Sequence, residues 1–240
     1  MPRIVDHEAR RAELVGAALR VITTEGFAAA SVRRVAHEAG HSPGSLRHYF
    51  PRQERLIEAV LAEVTQVAAA RLVPLVVALE GAGRDEVVDA ACALLEGLLP
   101  LDATRATEWS VWSTLVDPPA VPEGLERWRQ AGWTGTRHHC RHVVRRLAEP
   151  EAAPAAAPSV SATGTPSRSP AVPSVPDAEQ ILAGTEGLAP LADPAAEARA
   201  GVLHAVVDGL SVQLMTQPGE LSAAQARRVL RQAVVDVAGR

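Results

Sequence analysis

The chain has 240 residues, of which 47% are hydrophobic and 3% aromatic, enough for a sizeable core built mainly from Ala, Leu and Val. No long Val/Ile/Thr run alternates as a half-buried strand would, so a sheet framework is excluded and an all-α fold is expected. The net charge of −4 is unevenly spread: residues 1–56 hold nine Arg, six acidic residues and four of the eight His, so a basic end sits on an acidic remainder. That asymmetry points to a polyanionic partner at one end only.

In chain order, the first helix is expected over 6–25, where Leu14, Ala17, Ala18, Val21 and Ile22 repeat at three- and four-residue spacing. Gly26 suits the position after its end, and Phe27 can fold back onto the core. Ser31 is a ready N-cap for a short helix over 32–39, stopped by Gly40. Ser42 caps the next, with Pro43 at the first helical position, where its missing N–H costs nothing. That helix reaches Tyr49, and Pro51 breaks the chain before a helix over about 52–72. Two short helices joined by a Gly-containing turn make a helix-turn-helix unit, whose second helix lies in the DNA major groove. Val32, Val35, Ala36 and Leu46 face inward; Ser42, Gly44, Ser45, Arg47 and His48 are left outward. Gly44 lets the backbone approach a surface closely.

Longer helices are expected over 87–99, 103–116 and 123–149, the last with a break near Gly132 or Gly135. Residues 150–176 contain seven Pro, seven Ala and five Ser, a composition that builds no core and reads as a disordered or polyproline-like insertion. Helices over 194–217 and 223–238 close the chain.

The run RAELVGAALRVITTEGFAAASVRRVAHEAGHSPGSLRHYFPRQERLIEAV closely resembles the DNA-binding domain of the TetR/AcrR family of transcriptional regulators. The likeness covers about fifty residues in order and spacing. LLPLDATRATEWSVW and AVVDGLSVQLMTQPGELSAAQARRVL resemble the ligand-binding domain of the branch related to BetI-type repressors. Two departures stand out: Arg47 occupies a place where many members have Tyr, and Arg52-Gln53 follows Pro51 where many have Lys.

The resemblance implies a helix-turn-helix DNA-binding domain over 1–56 and a helical ligand-binding and dimerisation domain over 57–240. It implies a homodimeric, ligand-released repressor on a palindromic double-stranded DNA operator. Arg47 and Ser45 are the base-reading candidates, since Arg can fork to guanine O6/N7. Ser31, Arg33, Arg34, Ser42, Pro43, Gly44, His48 and Tyr49 complete the expected DNA-binding set, mostly by positioning on phosphate. Dimerisation through the last two helices is expected to use Leu203, Val206, Val207, Gly209, Leu210 and Leu214. Trp109 and Trp112 share a helix face, and with Trp128 and Trp133 they are the candidate wall for an unidentified small-molecule effector.

A metal- or thiol-responsive sensor is the rival reading. His138 and His142 stand at i and i+4, a metal-ligand spacing, with Cys140 between them and Cys92 as the other thiol. A Cys140-dependent enzyme is a third class, but no nucleophile elbow, phosphate loop or strand framework accompanies it. No enzyme activity, metal or cofactor is expected. Two cysteines make no disulfide framework, the charged N-terminus lacks a signal-peptide core, and no stretch of about 18 apolar residues is seen, so a cytoplasmic protein without membrane span is expected.

Overall fold

The computed structural model describes residues 7–115, 125–148 and 189–239. Within them the chain forms nine α-helices and no strand: α1 (His7–Glu25), α2 (Val32–Glu38), α3 (Pro43–Tyr49), α4 (Gln53–Gly81), α5 (Val87–Glu96), α6 (Ala103–Ser113), α7 (Glu126–Ala148), α8 (Pro194–Thr216) and α9 (Ala223–Val237), with a 3₁₀ turn at Phe27–Ala29. The insertion expected over 150–176 lies outside the described residues.

Local chemistry sets most of the starts. Ser31 Oγ accepts from the Arg34 amide at 3.2 Å, and Ser42 Oγ accepts from the Ser45 amide at 3.1 Å. Asp102 and Asp193 cap α6 and α8 with their carboxylates. Ser222 and Gln225 form a reciprocal capping box at α9. The turn between α2 and α3 passes through Gly40 at φ +70°, left-handed backbone that a side chain would strain.

Two apolar clusters organise the packing. The first joins α1, α2, α3 and the start of α4 around Leu14, Val21, Val35, Leu46, Phe50 and Val60, and it extends into Val111, Trp128 and Ala131 from α6 and α7, with Leu115 and Leu125 beside those helices. Phe27, expected as core, is only partly buried against this cluster. The second joins the far half of α4 to α5, α7, α8 and α9 around Leu79, Leu94, Val143, Leu203 and Leu230. The boundary expected at residue 57 therefore falls inside one continuous helix, and the first cluster draws on residues far beyond it.

Helix α4 runs nine residues past its expected end and contains Pro74. Burial of Leu79 and partial burial of Leu75 and Val76 hold its last turns in the second cluster. Arg146 closes the end, donating to the carbonyls of Leu79, Glu80 and Ala82 at 3.0–3.3 Å. By length and composition alone, α4 is apolar enough to cross a membrane, contrary to the sequence expectation. Here it packs against α1, α5, α6 and α7 as the spine between the two clusters.

Helix α7 is unbroken through Gly132 and Gly135. Gly132 is there for proximity: a Cβ would lie 2.9 Å from the ring of Trp112. Glu197 on α8 ties that helix to α7 through Arg137 at 2.9 Å and Arg141 at 2.8 Å.

Candidate functional site

The α3 helix presents two faces. Leu46 and Phe50 are buried at 0% and 1% exposure and fix the helix on the first cluster. Ser42, Pro43, Gly44, Ser45, Arg47 and His48 are exposed. Arg47 makes no hydrogen bond or ion pair with any described residue. Arg33, exposed on α2, stands the same way. His48 meets Tyr49 edge-on at 5.4 Å, and His7 packs on Tyr49 at 5.6 Å between ring centroids. These rings line the join between α1 and α3. Arg11 lies over the Phe50 ring at 5.0 Å.

Arg34 is differently placed from its neighbour Arg33. Its guanidinium is held by both Glu25 carboxylate oxygens and by Glu38, which together raise its pKa above the usual value, the Glu25 hydrogen bond most of all. Glu38 in turn accepts from Arg20 at 3.0 Å. Arg34 belongs to an ion-pair network that joins α2 to the end of α1, a role that its charge alone did not reveal. Ser31 and Ser42 spend their hydroxyls on the two caps.

A second feature lies between α4, α6, α7 and α8: a cavity of about 510 Å³. It gathers all four tryptophans, Trp109 and Trp112 from α6, and Trp128 and Trp133 from α7. Trp112 and Trp128 rings are 6.4 Å apart, and Trp128 is 1% exposed because it also belongs to the first cluster. Trp133 meets His204 edge-on at 5.1 Å. Sequence reasoning singled out the tryptophans by residue type. It missed the polar groups on the same wall: Glu108 and His139 on the tryptophans' own helices, and Arg71, His204 and Asp208 from α4 and α8, distant in sequence. Arg71 forks onto Glu108 at 2.6 and 2.7 Å and reaches the Gly97 carbonyl at 3.1 Å. Burial holds the His139 imidazole neutral, its pKa lowered to about 4.

The rival chemistry finds no site. Cys140 is fully buried, and burial pushes its thiol up to about 12; Cys92 is buried and raised as well, so neither is poised as a thiolate. Both the thiol sensor and the Cys140 nucleophile are thereby corrected. The His138 and His142 rings are 6.4 Å apart, but among the described residues no group of three His, Cys, Asp or Glu could hold a metal ion. His142 Nε2 instead lies 2.9 Å from Glu80.

The expected dimer set is also divided by the fold. Leu203, Val207 and Leu210 are buried inside the chain, at 0%, 2% and 5%, and cannot form an outer surface. The broad apolar face of α8 wraps around: one side enters the second cluster, while Val202 of α8 and Val229 of α9 are exposed, and Val212 is exposed at the cavity. Val206, Gly209 and Leu214 are partly buried at the border.

The arrangement is that of an all-helical, helix-turn-helix protein with an aromatic cavity behind it. The family model of bacterial regulatory proteins of the tetR family matches residues 14–60, and that of the BetI-type transcriptional repressor C-terminal domain matches residues 178–239. At these two stretches the chain is similar to TetR-family regulators. It is 42% identical over 72 residues to the transcriptional regulator PksA of Bacillus subtilis strain 168, a match covering 30% of this chain and 35% of that one. The matched segment thus spans about a third of that relative's length. The fold resembles a transcriptional regulator from Rhodococcus sp. Rha1, with TM-score 0.63, 22% identity and 95% of each chain covered. It also resembles a regulator from Saccharomonospora viridis in complex with choline, with TM-score 0.58, 19% identity, and 95% of this chain and 96% of that one covered.

Proposed function

We propose that this protein is a cytoplasmic DNA-binding transcriptional regulator, a repressor that binds a palindromic operator as a homodimer and is released by a small molecule. The observation that carries the reading is the division of α3: Leu46 and Phe50 anchor it, while Arg47, Ser45 and His48 stand outward, and Arg47 has no partner among the described residues. Residues 1–56 form the DNA-reading unit. Arg47 and Ser45 face the base edges, and Arg33, His48 and Tyr49 position the helix on phosphates. Arg34 is assigned to the α1–α2 ion pairs instead.

The dimer forms through the outward face of α8 and α9, at Val202 and Val229, with Val206, Gly209 and Leu214 at its edge. A Cβ on Gly209 would meet nothing within 4 Å in its own chain, so the glycine leaves room for a neighbour from another. The cavity takes the effector. Trp128 supports a coupling route, because it lines the cavity and packs in the same cluster as α1 and α3. A ligand there acts by preferring the arrangement that does not fit the operator.

The test is fluorescence anisotropy with labelled duplex from the gene's own upstream region, at two salt concentrations, with scrambled duplex as competitor. Tight, salt-sensitive binding that Arg47→Ala abolishes without lowering Tm supports the reading. Binding that is equal on native and scrambled duplex, and indifferent to Arg47→Ala, defeats it for that sequence, and a genome-wide binding selection then decides whether another operator exists.

A further inference from the structure

The charges on the cavity wall are almost all matched. Arg71 is held by Glu108, Arg105 by Asp102 at 2.8 Å, and Arg129 by Glu126. Asp208, near the middle of α8, is the exception. Its one ionisable partner among the described residues is His204 one turn back, with Nε2 3.4 Å from Oδ2, longer than a hydrogen bond normally allows. Burial lowers the pKa of that imidazole, which favours its neutral form, and no guanidinium pulls on the carboxyl of Asp208, which burial pushes above its ordinary value. The wall therefore carries one half-exposed carboxyl group with open lone pairs, set among tryptophans and aliphatic side chains, and a cation placed on it favours its ionised form.

That single group restricts what the cavity can hold. A ligand that fills the space displaces water from Asp208 and must replace those hydrogen bonds. An anion is repelled. A neutral apolar molecule leaves the carboxylate bare. A quaternary ammonium supplies charge but no N–H. A protonated amine or amidine supplies both, as a charge-assisted hydrogen bond. Most of the remaining lining is apolar, with Arg71 and Glu108 spent on each other and Trp112 and Trp133 as its aromatic surface, and about 510 Å³ suits a drug-sized molecule.

We propose that the effector is an amphipathic organic monocation with at least one N–H on its cationic nitrogen, bound with that N–H on Asp208 and its apolar body against Trp112 and Trp133. The inference rests on the effector-cavity reading above. It adds a ligand class and names Asp208 as the group that selects it.

The experiment uses three probes that share one ring system: 9-anthracenylmethylammonium, its N,N,N-trimethyl counterpart and 9-anthracenylmethanol. Each is titrated into the full chain, with energy transfer from tryptophan to anthracene reporting occupancy and calorimetry giving Kd. The primary ammonium is expected to bind at least about ten-fold tighter than either companion, the ratio one hydrogen bond to a charged group supplies. Asp208→Asn and Asp208→Ser, checked for unchanged Tm, are expected to remove that advantage. Equal or tighter binding of the trimethyl probe overturns the N–H requirement. Equal binding of the alcohol, with no effect of either substitution, overturns the role of the charge. In both of those cases energy transfer still occurs and the cavity reading survives. Absence of energy transfer from all three probes overturns the cavity reading and this inference together.

Discussion

Within the seven residues of α3, neighbouring positions have opposite tasks. Leu46 is fully buried and Arg47 is exposed, so the helix is anchored by one and presents the other. Replacing Leu46 by Ala removes buried methyl groups and leaves a cavity, a loss of roughly 2–5 kcal/mol in urea unfolding. Replacing Arg47 by Ala is expected to stay within about 0.5 kcal/mol, since the side chain has no partner among the described residues to lose. A pair of unfolding curves measures both, and a large destabilisation by Arg47→Ala would place that side chain in the fold. Sequence could not separate Arg33 from Arg34, which are adjacent and identical. Only the approach of Glu25 and Glu38 to Arg34 distinguishes them.

Among the elements, the tie between α7 and α8 is the most exposed to pH. Glu197 accepts from Arg141 and Arg137 and from the Leu191 amide, which together hold its carboxyl at about 2, the Arg141 hydrogen bond counting most. The folded pKa lies below the unfolded one, so the stabilisation is fully present above the ordinary value of 4.5 and is lost as pH falls toward 2. Thermal melts from pH 6 downward are expected to show Tm falling through that window, and Glu197→Gln to melt lower near pH 6 with a shallower fall. An unchanged slope in the variant would remove Glu197 from the account. The helix starts were legible because Ser31, Ser42 and Ser222 are local signals. The length of α4 was not, because Pro74 reads as a breaker until Leu79 and Arg146 are seen to hold the far end.

For the whole molecule, the assembly prediction rests on the outward valines. Val202→Arg combined with Val229→Arg is expected to convert the protein to monomer in sedimentation equilibrium and to abolish specific operator binding, with far-ultraviolet circular dichroism unchanged. A dimer that persists in the double variant would place the interface elsewhere. Sequence by itself determined the all-helical class, the three N-terminal helices with the serine caps of the second and third, and the outward set on α3, because periodicity, N-cap chemistry and turn glycines act within a few residues. It also named the four tryptophans. Only the tertiary structure decided that they gather around one cavity, that Asp208 on its wall has no guanidinium partner among the described residues, and that Leu203, Val207 and Leu210 face the core of their own chain. Those facts depend on which helices pack together across more than a hundred residues, and an apolar stripe read along one helix does not say which neighbour will cover it.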